Sequence, residues 1–247
     1  MKKSVLLEFI KKHTKVIEKV RWVSNTKDKT LKANVAADTK NMLVDLTLNN
    51  WDGWEDSEIG VGDIDKFKKE VFGMYDEDLT CELIYNDDKS RIVRVDFKDT
   101  STVGMATTSD LDMIGPVSKL KNNPPVSAEI VFDNEMKERF LKHKAALPDV
   151  KTFTIMMNPK SKLLELVIGY SNINSSRYHV KVKTQNGKDN VDDMLHFRAD
   201  YLAEILSVNS EGGDTVLKVS NNGLCSIEFV VGDFESKYYL TSTDDQD

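Results

Sequence analysis

The segment 2–21, KKSVLLEFIKKHTKVIEKVR, combines helical periodicity with a charge opposite to that of the rest of the chain. It has seven basic and two acidic residues and so a net charge of +5, whereas the whole chain of 247 residues has −7. The periodicity predicts an amphipathic helix over 3–20 whose apolar face includes His13 as a buried core histidine. Lys11, Lys12, Lys15 and Lys19 fall within about 100° on the opposite side. That basic face suits either solvent or a polyanion.

Composition limits the class of protein. Hydrophobic residues make up 40% and charged residues 30% of the chain, which is typical of a soluble globular protein. No apolar run approaches the ~18 residues that span a bilayer, and the N-terminal segment has no signal-peptide core. Cys81 and Cys225 lie far apart in apolar runs, so we expect small buried side chains in a reducing compartment, the cytoplasm or a host nucleoid. A net charge of −7 confines any contact with nucleic acid to a local basic surface.

The order of predicted elements repeats once along the chain, which indicates an α+β protein with a duplicated domain. The first half has predicted helices at 3–20 and 64–75 and strands at 22–23, 31–37, 41–49, 79–85 and 91–98. The second half has helices from Asp133 or Asn134 to about 147 and at 199–208, and strands at 127–132, 152–157, 163–170, 177–184, 215–219, 227–231 and 238–241. We expect domains at 1–110 and 127–247. The segment 111–126, with three of the five prolines, is the expected connector.

The other helices repeat the amphipathic pattern. In the second helix, Asp63 is the expected N-cap, Lys66 and Lys69 face outward, and an apolar face points inward. That inward face is predicted to consist of Ile64, Phe67, Val71, Phe72 and Tyr75. The third helix presents Arg139 and Lys142, whereas the fourth is acidic outside.

Motifs for catalysis and for metal binding are absent from the sequence. The four histidines lack metal-ligand spacing, and no phosphate-binding glycine loop or nucleophile elbow occurs. We therefore expect no enzymatic activity, no cofactor and no metal. The segment 51–56, WDGWED, is the one unusual loop, and it is predicted to lead into the second helix rather than to bind a ligand.

Two segments resemble the DNA sliding clamps. The ending SKYYLTSTDDQD, 236–247, is similar to the Tyr-Tyr-Leu strand and acidic tail of proliferating cell nuclear antigen. The segment HFRADYLAEIL, 196–206, is similar to the last strand and helix of such clamps. The chain length and the early helix look closer to the trimeric clamps of T-even-like bacteriophages. The sequence departs from the cellular clamps because it has no obvious strand before the first helix.

The resemblance implies two tandem clamp domains, each with antiparallel sheets outside and two helices inside, which assemble into a homotrimeric ring. Such a ring encircles double-stranded DNA without sequence specificity and tethers the DNA polymerase and the clamp loader. The implied DNA-binding residues are Lys11, Lys12, Lys15, Lys19, Lys66, Lys69, Arg139 and Lys142. Phosphate contacts carry no direct sequence information, which fits a protein that slides.

The resemblance also implies two protein-binding surfaces. A hydrophobic partner pocket under the connector would use Met113, Ile114, Pro116, Val117, Tyr239 and Leu240, although these residues could instead close the core between the domains. Subunits would pair through the strand with Val103, Met105 and Thr107 and the strand with Tyr178, Val180 and Val182. Both strands could instead pair within one chain.

Two other functions remain open from the sequence alone. A duplicated β-rich structural or accessory virion protein would share the acidic surface but would need no basic face toward a cavity. A small hydrolase could use the carboxylates of Asp52 and Asp56.

Overall fold

The computed structural model describes residues 1–13, 15–114, 120, 124–171 and 176–243. The chain divides into two compact units. Unit 1 comprises Met1–Asp38, Val44–Lys119 and Gly232–Ser236; unit 2 comprises Thr39–Leu43, Leu120–Val231 and Lys237–Asp247. The boundaries 1–110, 111–126 and 127–247 stay predictions. Within the described ranges, no helix is long and apolar enough to cross a bilayer.

Unit 1 is built from two short helices and two antiparallel groups of strands. Its elements are α1 Lys3–Lys11, β1 Val20–Asn25, β2 Thr30–Ala36, β3 Met42–Asn49, β4 Ser57–Val61, α2 Ile64–Phe72, β5 Thr80–Tyr85, β6 Ile92–Lys98 and β7 Val103–Thr107. The first two residues of β3, Met42 and Leu43, belong to unit 2. The strand orders are β3-β2-β1-β4 and β5-β6-β7, and a short 3-10 helix follows at Leu111–Met113. The helices α1 and α2 pack against each other. In this sheet order β7 is an edge strand.

Aromatic rings from both helices form the core of unit 1. The ring of Trp22 on β1 is fully buried and lies 5.7 Å from the ring of Phe9 on α1 and 5.0 Å from that of Phe67 on α2. The Phe67 ring in turn lies 5.8 Å from that of Phe97 on β6. Edge-to-face pairs at such distances add about 0.5–1.5 kcal/mol each to the burial of the rings. This cluster fixes the inward face of each helix.

Unit 2 repeats the arrangement with longer helices, of 13 and 10 residues against 9 and 9 in unit 1. Its elements are β8 Ala128–Phe132, α3 Asn134–Ala146, β9 Thr152–Met157, β10 Leu164–Ile168, β11 Tyr178–Lys181, β12 Thr184–Asp189, β13 Leu195–Arg198, α4 Ala199–Val208, β14 Thr215–Ser220, β15 Leu224–Val231 and β16 Phe234–Thr241. The beginning of β16, Phe234 to Ser236, belongs to unit 1. The strand orders are β12-β8-β14-β15-β16 and β11-β10-β9-β13, which makes β11 an edge strand. Phe140 on α3 packs between Phe132 and Phe153, with ring distances of 6.3 and 5.6 Å. The α+β class is confirmed.

The first helix is much shorter than predicted. It ends at Lys11, and a turn replaces the predicted continuation to residue 20. The β-branched residues Val16, Ile17 and Val20 favour extended backbone, and Val20 already begins β1. The predicted helix over 3–20 was therefore too long. The spacing of apolar residues that suggested a continuous helix is also compatible with a short helix, a turn and the beginning of a strand.

Periodicity missed four strands, namely β4, β7, β12 and β13, of which β7 and β13 were expected only from the resemblance. The strand β4 follows the WDGWED loop directly, where only a loop was expected, and pairs with β1. The predicted helix 64–75 ends at Phe72, and Gly73 forms its C-cap. Before α1, Lys2 forms a single antiparallel bridge with Asp78, so this region has a one-residue pairing rather than a strand.

His13 is a satisfied core histidine, as predicted. Its ring is fully buried, and Nδ1 lies 2.9 Å from the carbonyl oxygen of Phe9, while the indole Nε1 of Trp22 donates to Nε2 at 3.2 Å. This pairing assigns the proton to Nδ1 in the neutral ring. Burial lowers the pKa of His13 to about 4, although the backbone hydrogen bonds act in the opposite direction.

Protonation of His13 should make the protein sensitive to acid. Its pKa is about 4 in the folded state against 6.5 in the unfolded chain, so the unfolded chain takes up the proton first as the pH falls. The free energy of unfolding should then decrease between pH 6.5 and pH 4, by about 3 kcal/mol in total. Urea unfolding at pH 7 and at pH 4.5 measures the decrease. His13→Gln preserves one donor and one acceptor without the titration, and should be less sensitive; an equal pH dependence in both proteins would contradict the assignment.

Candidate functional site

Unit 1 brings three of the predicted lysines together in one concavity. It has a volume of about 590 Å³ and lies between the turn after α1 and the beginning of α2. Lys15, Lys66 and Lys69 line it together with three carboxylates, those of Glu18, Asp63 and Asp65. The lysines are exposed. A surface of mixed sign can contact a polyanion while holding it less tightly than lysines alone would.

The local structure of this concavity follows from helix capping. The Asp63 carboxylate accepts a hydrogen bond from the backbone N–H of Lys66 at 2.8 Å, as expected of an N-cap. The backbone N–H of Ile64 donates to the carbonyl oxygen of Glu18 at 3.0 Å. These two bonds connect the segment after α1 to the first turn of α2. They therefore set the spacing between Lys15 and the lysines of α2.

Lys12 does not lie on the exposed basic face where the helical pattern placed it. Its side chain is only 2% exposed, its Nζ lies 3.3 Å from a carboxylate oxygen of Glu8, and it sits 5.4 Å from the ring centre of Phe234. Lys11 is exposed and also contacts Glu8, and Lys19 is exposed. Lys12 still has helical backbone as the C-cap of α1, so the prediction fails because its side chain packs against Glu8 and Phe234 and is covered by them.

The basic residues of unit 2 are largely compensated within the unit. Arg139 and Lys142 on α3 are exposed, and Arg139 forms an ion pair with Glu135 one turn away. Lys144 is buried and forms an ion pair with Asp200 of α4 at 2.7 Å. Lys137 is also buried and donates to the carbonyl oxygens of Gly212 and Gly213. The outward charge of α3 and α4 is consequently much less positive than that of α1 and α2.

The predicted interface residues of β7 share one exposed face of an edge strand. Val103, Met105 and Thr107 are all exposed, whereas Ala106 between them is buried. An edge strand presents backbone donors and acceptors that a further strand can pair with.

The predicted interface residues of β11 are only partly accessible. Tyr178 is exposed and stacks on His143 of α3, with ring centres 4.1 Å apart and planes within 4°. Val180 is buried in unit 2, and Val182 lies beyond the end of the strand. Tyr178 and Val180 are two residues apart and so share one face of β11, but the side chain of Val180 lies opposite Leu166 and is buried, so it is not accessible to a second subunit.

A small cavity in unit 2 lies beside Tyr239. It has a volume of about 140 Å³, and Pro124, Val126, Leu224 and Cys225 contribute to its lining. Of the other predicted pocket residues, Leu240 is buried, and Met113 and Ile114 belong to unit 1, where Met113 is exposed. Pro116 and Val117 lie outside the described residues. Tyr239 is thus the one described residue of the predicted partner pocket that lines this cavity, and the pocket itself stays a prediction.

The tryptophans of the WDGWED loop belong to the core. Trp51 and Trp54 are buried, with ring centres 4.7 Å apart, and Trp54 stacks on Trp22 at 6.5 Å. Asp56 accepts a hydrogen bond from the backbone N–H of Thr26, and hydrogen bonds from Thr26 lower the pKa of Asp56. The loop therefore supplies two tryptophans to the core and a carboxylate that holds the backbone at Thr26.

Two aromatic residues that the sequence analysis predicted to be buried are exposed in the structure. Phe72 is 72% exposed and Tyr75 is 84% exposed, although the helical pattern had assigned both to the core. The signal that could have found Tyr75 is Gly73, which ends α2 and so interrupts the helical period before Tyr75. Phe72 is the last residue of α2, and no such signal precedes it.

Helix pairs on antiparallel strands, repeated in two units, make up a DNA-clamp fold, and comparison with solved structures gives the same result. The chain is similar to A. fulgidus PCNA bound to the C-terminal region of FEN-1, with a TM-score of 0.72 and 17% identity over 100% of this chain and 98% of that one. It is also similar to Proliferating Cellular Nuclear Antigen from Entamoeba histolytica, with a TM-score of 0.69 and 12% identity over 98% of this chain and 96% of that one. No protein-family model and no curated protein sequence matches the chain. The predicted sliding-clamp fold is thereby confirmed over the full length.

The burial of Lys12 leads to a prediction about stability. Lys12→Glu places a second carboxylate beside Glu8 in a buried position, so it should lower the free energy of unfolding by about 3 kcal/mol. The matched exposed variant Lys19→Glu should change it by less than about 0.5 kcal/mol. Urea unfolding at pH 7 measures both. Equal effects of the two variants would place Lys12 on the surface and contradict the structure.

Proposed function

We propose that this protein is a sliding clamp, a ring-shaped homotrimer that encircles double-stranded DNA and tethers the replicative polymerase to it. The fold of PCNA over the full length of the chain supports this proposal. The observation that carries it is the set of exposed lysines on the helix pair of unit 1, in a chain whose net charge is −7. In an acidic chain, exposed lysines gathered in one region provide a local surface that can attract a polyanion.

Contact with DNA would then depend on charge rather than on sequence. Lys11, Lys15, Lys19, Lys66 and Lys69 would face the phosphates, and Arg139 and Lys142 would assist. Flexible lysines form point-charge contacts that can exchange between neighbouring phosphates, whereas arginine favours fixed two-pronged geometry. Such contacts position DNA without reading its bases. Three subunits with four helices each would line the ring.

The ring would close by pairing β7 of one subunit with β11 of the next. Both are edge strands in their own units. Edge strands exposed in this way are ordinarily blocked by charges or by proline, yet Val103, Met105 and Thr107 are uncharged. The subunit contact would cover them.

A polymerase or a clamp loader would dock through a short hydrophobic motif. The Tyr239 cavity is a suitable receptor for one or two apolar side chains, because a few buried anchors carry most of the affinity of such contacts. The similar A. fulgidus PCNA is bound to the C-terminal region of FEN-1, which supports the proposal that this fold receives peptide segments. The connector residues Met113, Ile114, Pro116 and Val117 stay predicted contacts of such a motif.

Charge reversal tests the DNA contact. The triple variant Lys15→Glu, Lys66→Glu and Lys69→Glu should shorten the products of processive synthesis on primed circular DNA by about tenfold or more, because each lost phosphate contact removes counterion-release energy. Light scattering should give the mass of three subunits for both the natural chain and the variant.

The control for charge reversal has the same net charge. Lys27, Lys32 and Lys160 are exposed outside the helices, and their reversal to glutamate should leave processivity unchanged. If both variants lost processivity equally, the loss would be due to the change in net charge and not to a local DNA-binding surface. A monomeric mass for the natural chain at micromolar concentration, together with no stimulation of the polymerase, would refute the proposed function.

Filling the Tyr239 cavity tests partner docking. Ser226 on β15 lines this cavity and is half-buried, so Ser226→Tyr should occupy it without removing a core side chain. Stimulation of the polymerase should require about tenfold more clamp, since a blocked anchor costs more than about 1 kcal/mol. Val230→Tyr, on an exposed position of the same strand, is the matched control and should have no effect. Unchanged stimulation by Ser226→Tyr would remove the cavity from the docking site.

A further inference from the structure

The strand β5 of unit 1 pairs with another strand on one side only. Its neighbour there is β6. On the other side, the N–H of Leu79 donates to the carbonyl oxygen of Met1 at 3.0 Å, and the N–H of Lys3 donates to that of Glu77 at 2.8 Å. Among the described residues, no backbone pairing continues along this side over Thr80–Tyr85. We call this side of β5 its open edge.

The open edge presents the backbone groups of alternate residues. In an antiparallel strand, the N–H and C=O of one residue point to one neighbour and those of the next residue point to the other. Leu79 bonds away from β6, to Met1, so Cys81 and Leu83 direct their N–H and C=O groups away from β6 as well. The side chain of Cys81 is half-buried and that of Leu83 is buried. The open edge therefore combines accessible backbone groups with side chains that face the core, and a further strand can pair with it.

Unit 2 has a strand on the corresponding edge. Its strand β14 follows α4 as β5 follows α2, and it lies between β15 and β8. The helix α2 ends at Phe72 and α4 ends at Val208, so Cys81 and Leu217 each follow the end of a helix by nine residues. On this correspondence, β8 occupies in unit 2 the edge that is open in unit 1. The described part of unit 1 contains no counterpart of β8.

The charge at the corresponding position is reversed between the units. Lys218 of β14 lies directly opposite Glu129 of β8, and opposite charges in such positions stabilise neighbouring strands. Glu82 of β5 corresponds to Lys218. Glu82 is exposed and forms no ion pair with another described residue, while Asp96 opposite it on β6 is bound by Arg94 at 2.8 Å. A strand added to the open edge therefore meets a carboxylate where β8 meets a lysine.

We propose that the open edge of β5 binds an extended segment of a partner protein that has alternating apolar residues and a lysine or arginine opposite Glu82. The apolar residues lie beside Cys81 and Leu83, as Ile130 of β8 lies beside Leu217 in unit 2. Backbone hydrogen bonds supply the affinity of such strand addition, and the side chains supply the selectivity. The site is separate from the Tyr239 cavity and from β7, and it requires neither a ring nor DNA. It therefore goes beyond the proposed function.

Two peptides test the charge selectivity of the open edge. One has the sequence of residues 127–133, SAEIVFD, and the other is the same peptide with Glu129→Lys. Both carry fluorescein and are titrated with the full chain, and fluorescence anisotropy measures binding. The lysine peptide should bind about tenfold more tightly than the glutamate peptide, because it replaces a like-charge pair with Glu82 by an opposite-charge pair.

Charge reversal in the protein provides the matched comparison. Glu82→Lys should invert the preference, so that the glutamate peptide binds more tightly by a similar factor. Asp45→Lys makes the same change of charge at an exposed position of β3 and should keep the preference of the natural chain. Equal shifts in the two variants would mean that the net charge of the protein selects the peptide, and would overturn the inference. If neither peptide bound, Glu82 would only protect an unused edge, and the inference would be refuted.

Backbone pairing has a separate signature. N-methylation at alternate residues of the lysine peptide blocks one of its two edges, so one methylated form should lose about tenfold in affinity while the form methylated at the other residues keeps it. Hydrogen exchange over residues 79–85 should slow in the complex, because the N–H groups of Cys81 and Leu83 become bonded. Equal binding of both methylated forms, or unchanged exchange, would contradict strand addition. These assays contain no DNA or polymerase, so their outcome is independent of the proposed function.

Discussion

The inward packing of helix aromatics against strand aromatics is the constraint on which the rest of this structure depends. In unit 1, Phe9 and Phe67 meet on the buried ring of Trp22, and in unit 2, Phe140 lies between Phe132 and Phe153. Each buried ring contributes on the order of 2–3 kcal/mol from area alone, more than any single surface charge contributes. The rings therefore decide which face of a helix turns inward, and the positions of the exposed lysines on α2 follow as a consequence.

Much of the fold could be predicted because its signals are local. The residues 199–208 were predicted as a helix and form α4 with those bounds. The predicted bounds of the strand 152–157 are likewise those of β9. The capping of α2 by Asp63 and of α3 by Asp133 depends on side chains within three residues of the helix start. Periods of two and of 3.6 residues, together with caps, are sufficient for such elements.

Several errors have a different origin, since they involve a partner distant in the sequence. The strands β12 and β13 are defined by pairing with β8 and β9, which lie 30 or more residues away, and their own sequences have no strong period. Lys12 is buried because of Glu8 and Phe234, and the second of these is more than 200 residues away. Val180 faces the core because of its register with Leu166. A helical pattern contains no information about such partners.

The exposed cations on the helices have one feature in common that bears on the proposed function. Lys11 contacts Glu8 at 3.3 Å, Lys66 contacts Glu70 at 3.8 Å, and Arg139 pairs with Glu135, each within one turn of its own helix. Pairs of this kind contribute about 0.3–0.5 kcal/mol, so a phosphate can displace the carboxylate at little cost. The displaced carboxylate remains nearby and reduces the net attraction. A ring that must hold DNA and still move along it needs cations that bind weakly and exchange readily, and glutamates one turn away give lysines both properties.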